Sequence, residues 1–431
     1  MRSLKYSFGL ITALAILATL FATTTRATAQ QERLLRSFGN GTDGTAPNGP
    51  LISDAAGNLY GTTLNGGAYE GQAIYTGTAF ELTPLKGGAW AETILHSFGG
   101  RSDGAGPAAG LISDAAGNLY GTTAYGGSSS GCPSAPIGPG GCGIVFQLQP
   151  PATKGGAWTE KVLYNFTNWN DGANPQGILT IDSSGNLYGT TFNSGGFATE
   201  GTVFELSPRP TGYWRIKVVH VFTGNTNDGG RPTGGLIFDS SGNLYGTTCF
   251  GGAYGSGTVF ELSPKSGGGW GENILYGFGS SSADGACPNG GVAFDSRGNL
   301  YGTAGGGINN YGEVFELTLS PGAWTENVLY KFNGGPSDGA YPNGVIVDSA
   351  GNLDGSTSYG GSYGAGTVFE LKPIGSTWTE KILHNFGNGT DGVYPSGNLL
   401  PDAAGDLYGV TNQGGTYKGV FGSGTVFEIK P

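Results

Sequence analysis

Short runs of β-branched and aromatic residues, each closed by Gly, Ser, Asp or Pro, follow one another along almost the whole chain. One stretch shows a complete set: GLIFD at 235–239, NLYGTT at 243–248, TVFELSP at 258–264 and WGENILYGF at 270–278. Runs of this length, bounded by turn residues, predict β-strands. The alternation is strongest at 158–166, where Trp158, Glu160, Val162, Tyr164 and Phe166 are expected to share one strand face. Beyond the first 29 residues no segment keeps a helical period, so the chain is predicted to be all-β.

The four-run set recurs. The Asp of D-x-x-G-N-L-Y stands at Asp54, Asp114, Asp182, Asp239, Asp295, Asp348 and Asp402, at steps of 60, 68, 57, 56, 53 and 54 residues. A period near 55 suits one four-stranded propeller blade. In each copy the Asp side chain is expected to cap a tight turn and the Gly to take positive φ. Leu and Tyr would then point to opposite faces of the next strand, and the Gly after Tyr would clear space where blades pack closely. A single blade cannot cover its own two apolar faces, so neighbours must stack. The first strand-like run after the leader, LLRSF at 34–38, is of the fourth type, and the last, GTVFEIK at 424–430, is of the third. These ends predict a seven-bladed propeller of four-stranded antiparallel blades, closed by the N-terminal strand pairing in the last blade.

Residues 1–29 read as a secretory signal: Arg2 and Lys5, the apolar stretch FGLITALAILATLFA, then Ala27-Thr28-Ala29. The apolar part is short for a membrane span, and no membrane insertion is expected after cleavage. Residues 30–431 are read as one domain, secreted, periplasmic or at the cell surface, and monomeric. The whole chain has 20 Lys plus Arg and 31 Asp plus Glu. The leader holds three of the basic residues and no acidic ones, which leaves 17 − 31 = −14 for the rest. That charge excludes nucleic acid as a partner. The 86 glycines and 22 prolines would suggest disorder if scattered, but they recur at fixed positions and read as turns.

The wording G-N-L-Y-G-T-T, then G-G, then G-T-V-F-E-L, repeated after an export signal, resembles the choice-of-anchor tandem-repeat family of GloVer repeats. The resemblance implies a bacterial, exported protein without an established activity. Many members end in a surface-anchoring segment, and none is read at this C-terminus. The D-x-x-G-N-L-Y core also resembles propeller repeats of two-component sensor ectodomains. Neither resemblance supplies catalytic residues.

Any chemistry is expected where the copies disagree, because residues common to all copies serve blade geometry. D-G-x-x-P occurs in every linker, at Asp43, Asp103, Asp171, Asp228, Asp284, Asp338 and Asp391. Each Asp is read as bonding its own turn, with a shared Ca²⁺ site as the alternative. His96, His220 and His384 occupy one fourth-strand position, held elsewhere by Arg36, Tyr164, Tyr276 and Tyr330, and are read as structural. No H-E-x-x-H or C-x-x-C occurs, and no cofactor is expected. Four cysteines in an exported chain predict disulfides Cys132–Cys142 and Cys249–Cys287.

Aromatics set among glycines mark the loops: Tyr69, Tyr125, Trp169, Phe197, Tyr254, Tyr311, Tyr359 and Tyr417. Their chemistry suits stacking on sugar rings or contact with a partner protein. The preferred expectation is an exported, non-catalytic scaffold that binds a glycan or an extracellular protein at its loop-rich face. The alternative is a carbohydrate hydrolase or lyase using carboxylates from non-equivalent positions, such as Asp354, Glu70 and Glu200.

Overall fold

The computed structural model describes residues 31–431 except 70–74, 100–101, 133–139, 154, 195–199, 283, 307–310, 321 and 418–422. The expected leader, 1–29, lies outside the described residues. Among those described, all regular structure is β, arranged as seven antiparallel blades in a ring. Blade 4 is representative: Ile237–Phe238, Leu244–Thr248, Thr258–Pro264 and Trp270–Gly277 lie side by side in chain order. Blade 7 is assembled from both ends of the chain. Gly392–Pro401, Leu407–Gly414 and Thr425–Lys430 are completed by Gln31–Ser37, which pairs antiparallel from Gln31↔Lys430 to Ser37↔Thr425.

The recurring motif is a turn with its own wiring. Asp54 Oδ1 accepts from the backbone N–H of Ala56 and Asn58, both at 2.9 Å. Its Oδ2 accepts from Asn58 Nδ2 at 2.8 Å and Tyr60 OH at 3.0 Å. Gly57 closes the turn at φ 80°, where a side chain would be strained. Asp114, Asp182, Asp239 and Asp295 make the same four contacts.

The core is divided into seven wedges, one between each pair of blades. Leu59 faces blade 7 and Tyr60 faces blade 2, as alternation requires. Every wedge holds one Phe pair, joining the end of a fourth strand to the third strand of the next blade. Phe38–Phe80 and Phe386–Phe427 close the ring, and the seven centroid separations run from 4.9 to 5.2 Å. Tyr of G-N-L-Y meets the Trp that opens the next blade's fourth strand, as in Tyr60–Trp158 and Tyr120–Trp214. Blade 7 takes its fourth strand from the N-terminus and has no such Trp, and the facing position in blade 6 is Asp354 rather than Tyr.

Two expectations change in detail, and the linkers add a third feature. A one-residue bulge at Leu163 reverses the alternation: Trp158 and Val162 face blade 1, whereas Tyr164 and Phe166 face blade 3. The Gly after Tyr clears space inside its own blade rather than between blades. A Cβ on Gly61 would come within 2.6 Å of Phe80, its cross-strand partner. The linkers, finally, are not free loops, because their residues after D-G extend the sheet against the end of the second strand, as Gly229–Gly230 does against Phe250–Gly251.

Candidate functional site

Each linker Asp closes the turn that leads out of its own blade. Asp43 accepts from the N–H of Gly39 and Asn40 at 3.0 and 2.9 Å, and Asp228 from the Thr223 N–H and hydroxyl at 2.8 and 2.7 Å. Asp103, Asp171, Asp284, Asp338 and Asp391 occupy the same place, so the seven are spread one to a junction rather than gathered at one point. At most junctions the fourth-strand cation or phenol then ties this Asp to a glutamate of the next blade; blade 3 has Ile216 at that position, and Tyr164 bonds Asp171 alone. Arg36 lies 2.6 Å from Asp43 and 2.5 Å from Glu92, and His220 lies 3.1 Å from Asp228 and 3.6 Å from Glu272. Tyr276 OH donates to Glu326 at 2.8 Å and Tyr330 OH to Glu380 at 3.0 Å. His220 and His384 are therefore links between blades, and His96 pairs with Asp103 of its own linker. Sequence reasoning missed these links because the glutamate arrives from the following repeat.

The residue before the Pro of D-G-x-x-P has positive φ in every linker: Ala46, Gly106, Asn174, Arg231, Cys287, Tyr341 and Tyr394, between 49° and 62°. Its N–H donates to the preceding blade's loop, as Arg231 does to Glu200 O and Tyr341 to Tyr311 O. The Pro then sits against the Gly of the preceding G-T-V-F; a Cβ on Gly366 would lie 2.5 Å from Pro395. The backbone is thus fixed seven times in a left-handed conformation costing about 1 kcal/mol for an ordinary side chain, while the side chain varies freely. Fixed geometry with variable chemistry marks this position as the display point of the loop face.

Those side chains build an uneven rim. Tyr341 meets Tyr311 at 6.5 Å and Tyr359 at 5.6 Å, and Tyr359 meets Tyr394 at 4.8 Å. The four tyrosines form one arc over blades 5 to 7; Tyr341 and Tyr359 are each 47% exposed. On blades 3 and 4, Arg231 lies over Phe192 and Phe250 at 5.7 and 4.7 Å and pairs with Glu200 at 2.6 Å. Tyr75 stacks on Tyr125 at 5.2 Å. On the ring axis all seven blades line a cavity of about 240 Å³, walled by glycines with Asn48, Gln176, Thr233, Asn289, Asn343, Ser396 and Asn398.

The aromatics expected to form one set fall into two. Tyr69, Tyr254 and Tyr417, with the overlooked Tyr363, lie over the glycine that follows their own blade's fourth strand. Tyr125, Tyr311 and Tyr359 belong to the rim, with Tyr311 lying also over Gly334 just past its own blade's fourth strand. Trp169 stands apart on the linker from blade 2 to blade 3, 76% exposed, and Phe197 lies outside the described residues. Of the overlooked rim residues, Arg231, Tyr341 and Tyr394 had a legible signal, the variable letter before each linker Pro, whereas Phe192 and Phe250 stand just past the end of a second strand. Of the carboxylates named for catalysis, Glu200 pairs with Arg231 on blade 3. Asp354 faces Glu370 across two strands of blade 6, and Glu70 lies outside the described residues. Burial, with the Glu370 charge behind it, pushes Asp354 up to about 7.

Both expected disulfides form. Cys249–Cys287 links blade 4 to the display position of the next linker and closes a loop of 38 residues. Replacing both by Ala is expected to cost about 3–4 kcal/mol in denaturant unfolding. A loss below about 1 kcal/mol would mean the bridge constrains little that the ring does not already hold.

Residues 134–344 and 325–431 match the model of a family described as the Gloeobacter/Verrucomicrobia repeat. No curated protein matches the chain. Among solved structures, similar folds include a glucose dehydrogenase-type oxidoreductase from Thermus thermophilus (14% identity, TM-score 0.43, 93% of this chain and 100% of that one). Another is an α-L-arabinofuranosidase from Fusarium graminearum (12%, 0.44, 93% and 98%). A third is the NanB sialidase from Streptococcus pneumoniae (11%, 0.44, 92% and 70%). Likenesses this distant concern architecture and carry no chemistry across.

Proposed function

We propose, from the premise that this chain belongs to the Gloeobacter/Verrucomicrobia repeat family, that it is an exported, non-catalytic scaffold whose loop face binds a glycan. The observation that carries this reading is the arc Tyr311–Tyr341–Tyr359–Tyr394. Tyrosines offer flat apolar faces to the C–H side of a sugar ring and hydroxyls to its polar rim, with little side-chain entropy to lose. Several rings in a row suit successive residues of a chain better than one small molecule. The excess of acidic over basic residues disfavours an anionic polymer, so a neutral or amine-bearing glycan is the expected ligand.

The test is a panel of neutral, amino and acidic polysaccharides against the mature protein and its Tyr341→Ala/Tyr359→Ala variant. Wild type is expected to retain neutral or amino polymers, and the double variant to bind them at least tenfold more weakly. Removing two exposed rings should leave the melt nearly unchanged. Failure of every polymer to bind, or equal binding by both proteins, would remove the glycan reading.

A further inference from the structure

Blade 5 breaks the repeat at two facing positions. In five of the other six blades the end of the second strand and the start of the third carry a buried pair of threonines, their hydroxyls 2.8–2.9 Å apart. The pairs are Thr63–Thr78, Thr191–Thr202, Thr248–Thr258, Thr357–Thr367 and Thr411–Thr425. Blade 2 has Thr123 and Ile144. Blade 5 has Ala304 and Glu313. The lost hydroxyl and methyl of the first position make room for the longer acid at the second. Gly285 gives the rest: a Cβ there would stand 2.5 Å from Glu313 Oε1 and 2.7 Å from Ala304 Cβ.

Glu313 is fully buried; the backbone N–H of Gly285 faces its carboxylate, but neither oxygen has a hydrogen-bond partner at good geometry. A buried acid without a well-formed hydrogen bond is costly, and its presence calls for an explanation. Beside it stand Asp284 of the linker and Glu326 of the fourth strand. One oxygen from each of the three acids lies within 4.8 Å of the others. Asp284 Oδ1 and Glu326 Oε1 are likewise buried without donors, which makes four carboxylate oxygens unsatisfied in one place. The other groups facing the cluster are the Tyr276 hydroxyl, 2.8 Å from Glu326 and 3.2 Å from Asp284, and the Lys331 ammonium, 4.0 Å from Glu313. Three carboxylates and one ammonium leave a formal −2. The comparable clusters His220–Asp228–Glu272 and Glu32–His384–Asp391 each contain an imidazole and only two acids.

We propose that Asp284, Glu313 and Glu326 form a binding site for one divalent, oxygen-seeking cation, of which Ca²⁺ is the best fit, at the junction of blades 4 and 5. Oxygens that share a Ca²⁺ ion stand no more than about 4.6–5.2 Å apart, since each bond is about 2.3–2.6 Å, and the three acids lie within that limit. The ion would satisfy the orphaned oxygens and cancel the residual charge. It would also clamp the junction that already carries the Cys249–Cys287 bridge. This site is distinct from the ring of linker aspartates considered above. It uses one of them, and two glutamates that enter from blade 5.

The test uses the chelator-stripped mature protein at pH 8, titrated with Ca²⁺ by calorimetry and with Tb³⁺ by luminescence excited through Tyr276. Wild type is expected to bind one Ca²⁺, to melt higher with it, and to sensitise Tb³⁺. The Glu313→Thr/Ala304→Thr variant, which restores the threonine pair of the other blades and so should fold, is expected to bind at least tenfold more weakly. Glu272→Gln at the neighbouring junction should bind as wild type does. Wild type that takes up neither ion at millimolar concentration overturns the proposal, as does equal uptake by the threonine variant.

Discussion

A chain that begins at residue 40 is expected to melt on the order of 15 °C or more below one that begins at residue 30. The ten residues removed contain the fourth strand of blade 7, which pairs with Thr425–Lys430 along its whole length. Phe38 is fully buried against Phe80 of blade 1, and Leu35 is buried in the same wedge with Val410 and Val426. Arg36 bridges Asp43 and Glu92, joining blade 7 to blade 1. Truncation leaves an unpaired strand edge, an open wedge and two buried acids without their cation, at the one place where the ring is not held by chain continuity. A single substitution separates these effects. Phe38→Ala is expected to cost about 3–5 kcal/mol in denaturant unfolding, as for any fully buried Phe. An unchanged melt for the truncated chain, or a cost below about 1 kcal/mol for Phe38→Ala, would show that the ring does not depend on this closure.

That closure was legible because the sequence numbers its own strands: with seven copies of four types, a fourth-type run at the start can only complete the last sheet. The Asp turn was legible for a similar reason, since Asp54, Gly57, Asn58 and Tyr60 are all local and their bonds fall within six residues. What escaped was carried between copies. Tyr60 meets a Trp ninety-eight positions on, and His220 meets a glutamate of the next repeat. Within a strand, the bulge at Leu163 resets which face a residue takes, and no letter announces it. The candidate site shows the same division. Aromatic letters in the loops were visible, but Tyr69 and Tyr359 look alike in sequence and differ in what lies beneath them. The better indicator was backbone strain: a position before Pro held at positive φ through Ala, Gly, Asn, Arg, Cys and Tyr is fixed by the fold and free in its chemistry. Glu313 stood out only once its strand partner was known to be Ala304, because the two departures are 9 residues apart and become one feature through pairing.

The junction glutamates lead to the second large effect: this acidic protein should become more stable as the pH falls from 8.5 to 5.5. Burial pushes Glu92, Glu160, Glu272, Glu326 and Glu380 each up to about 7. The charges of Arg36, His96 and His220 pull the first three back only in part. Burial, reinforced by Glu326, pushes Glu313 up to about 8. In the unfolded chain these groups titrate near 4.5. A carboxyl whose folded value is raised stabilises the fold fully below its unfolded value and loses that contribution as the pH climbs through its folded value. The window is therefore about 4.5 to 8, and within it the folded state binds more protons than the unfolded one. The turn aspartates act in the opposite sense but elsewhere. Burial opposes ionisation of Asp54, Asp114, Asp239 and Asp295, yet hydrogen bonds from Asn side chains, backbone and Tyr outweigh it and hold them below the ordinary value. Their contribution is lost only below about 3.8, so it does not offset the gain above pH 5. One pKa unit corresponds to about 1.4 kcal/mol, so even a small fraction of six such shifts amounts to several kcal/mol, and a rise in Tm on the order of 5–10 °C is expected. The melts are run in chelator, so that no cation competes with the proton at Glu313 and Glu326. A variant with Glu92, Glu160, Glu272 and Glu380 all changed to Gln should flatten most of the dependence, because amides do not titrate. If wild type instead loses stability steadily from pH 8.5 to 5.5, the glutamates are ionised in the folded ring, and the interfaces between blades are held by charge pairs rather than by neutral acids.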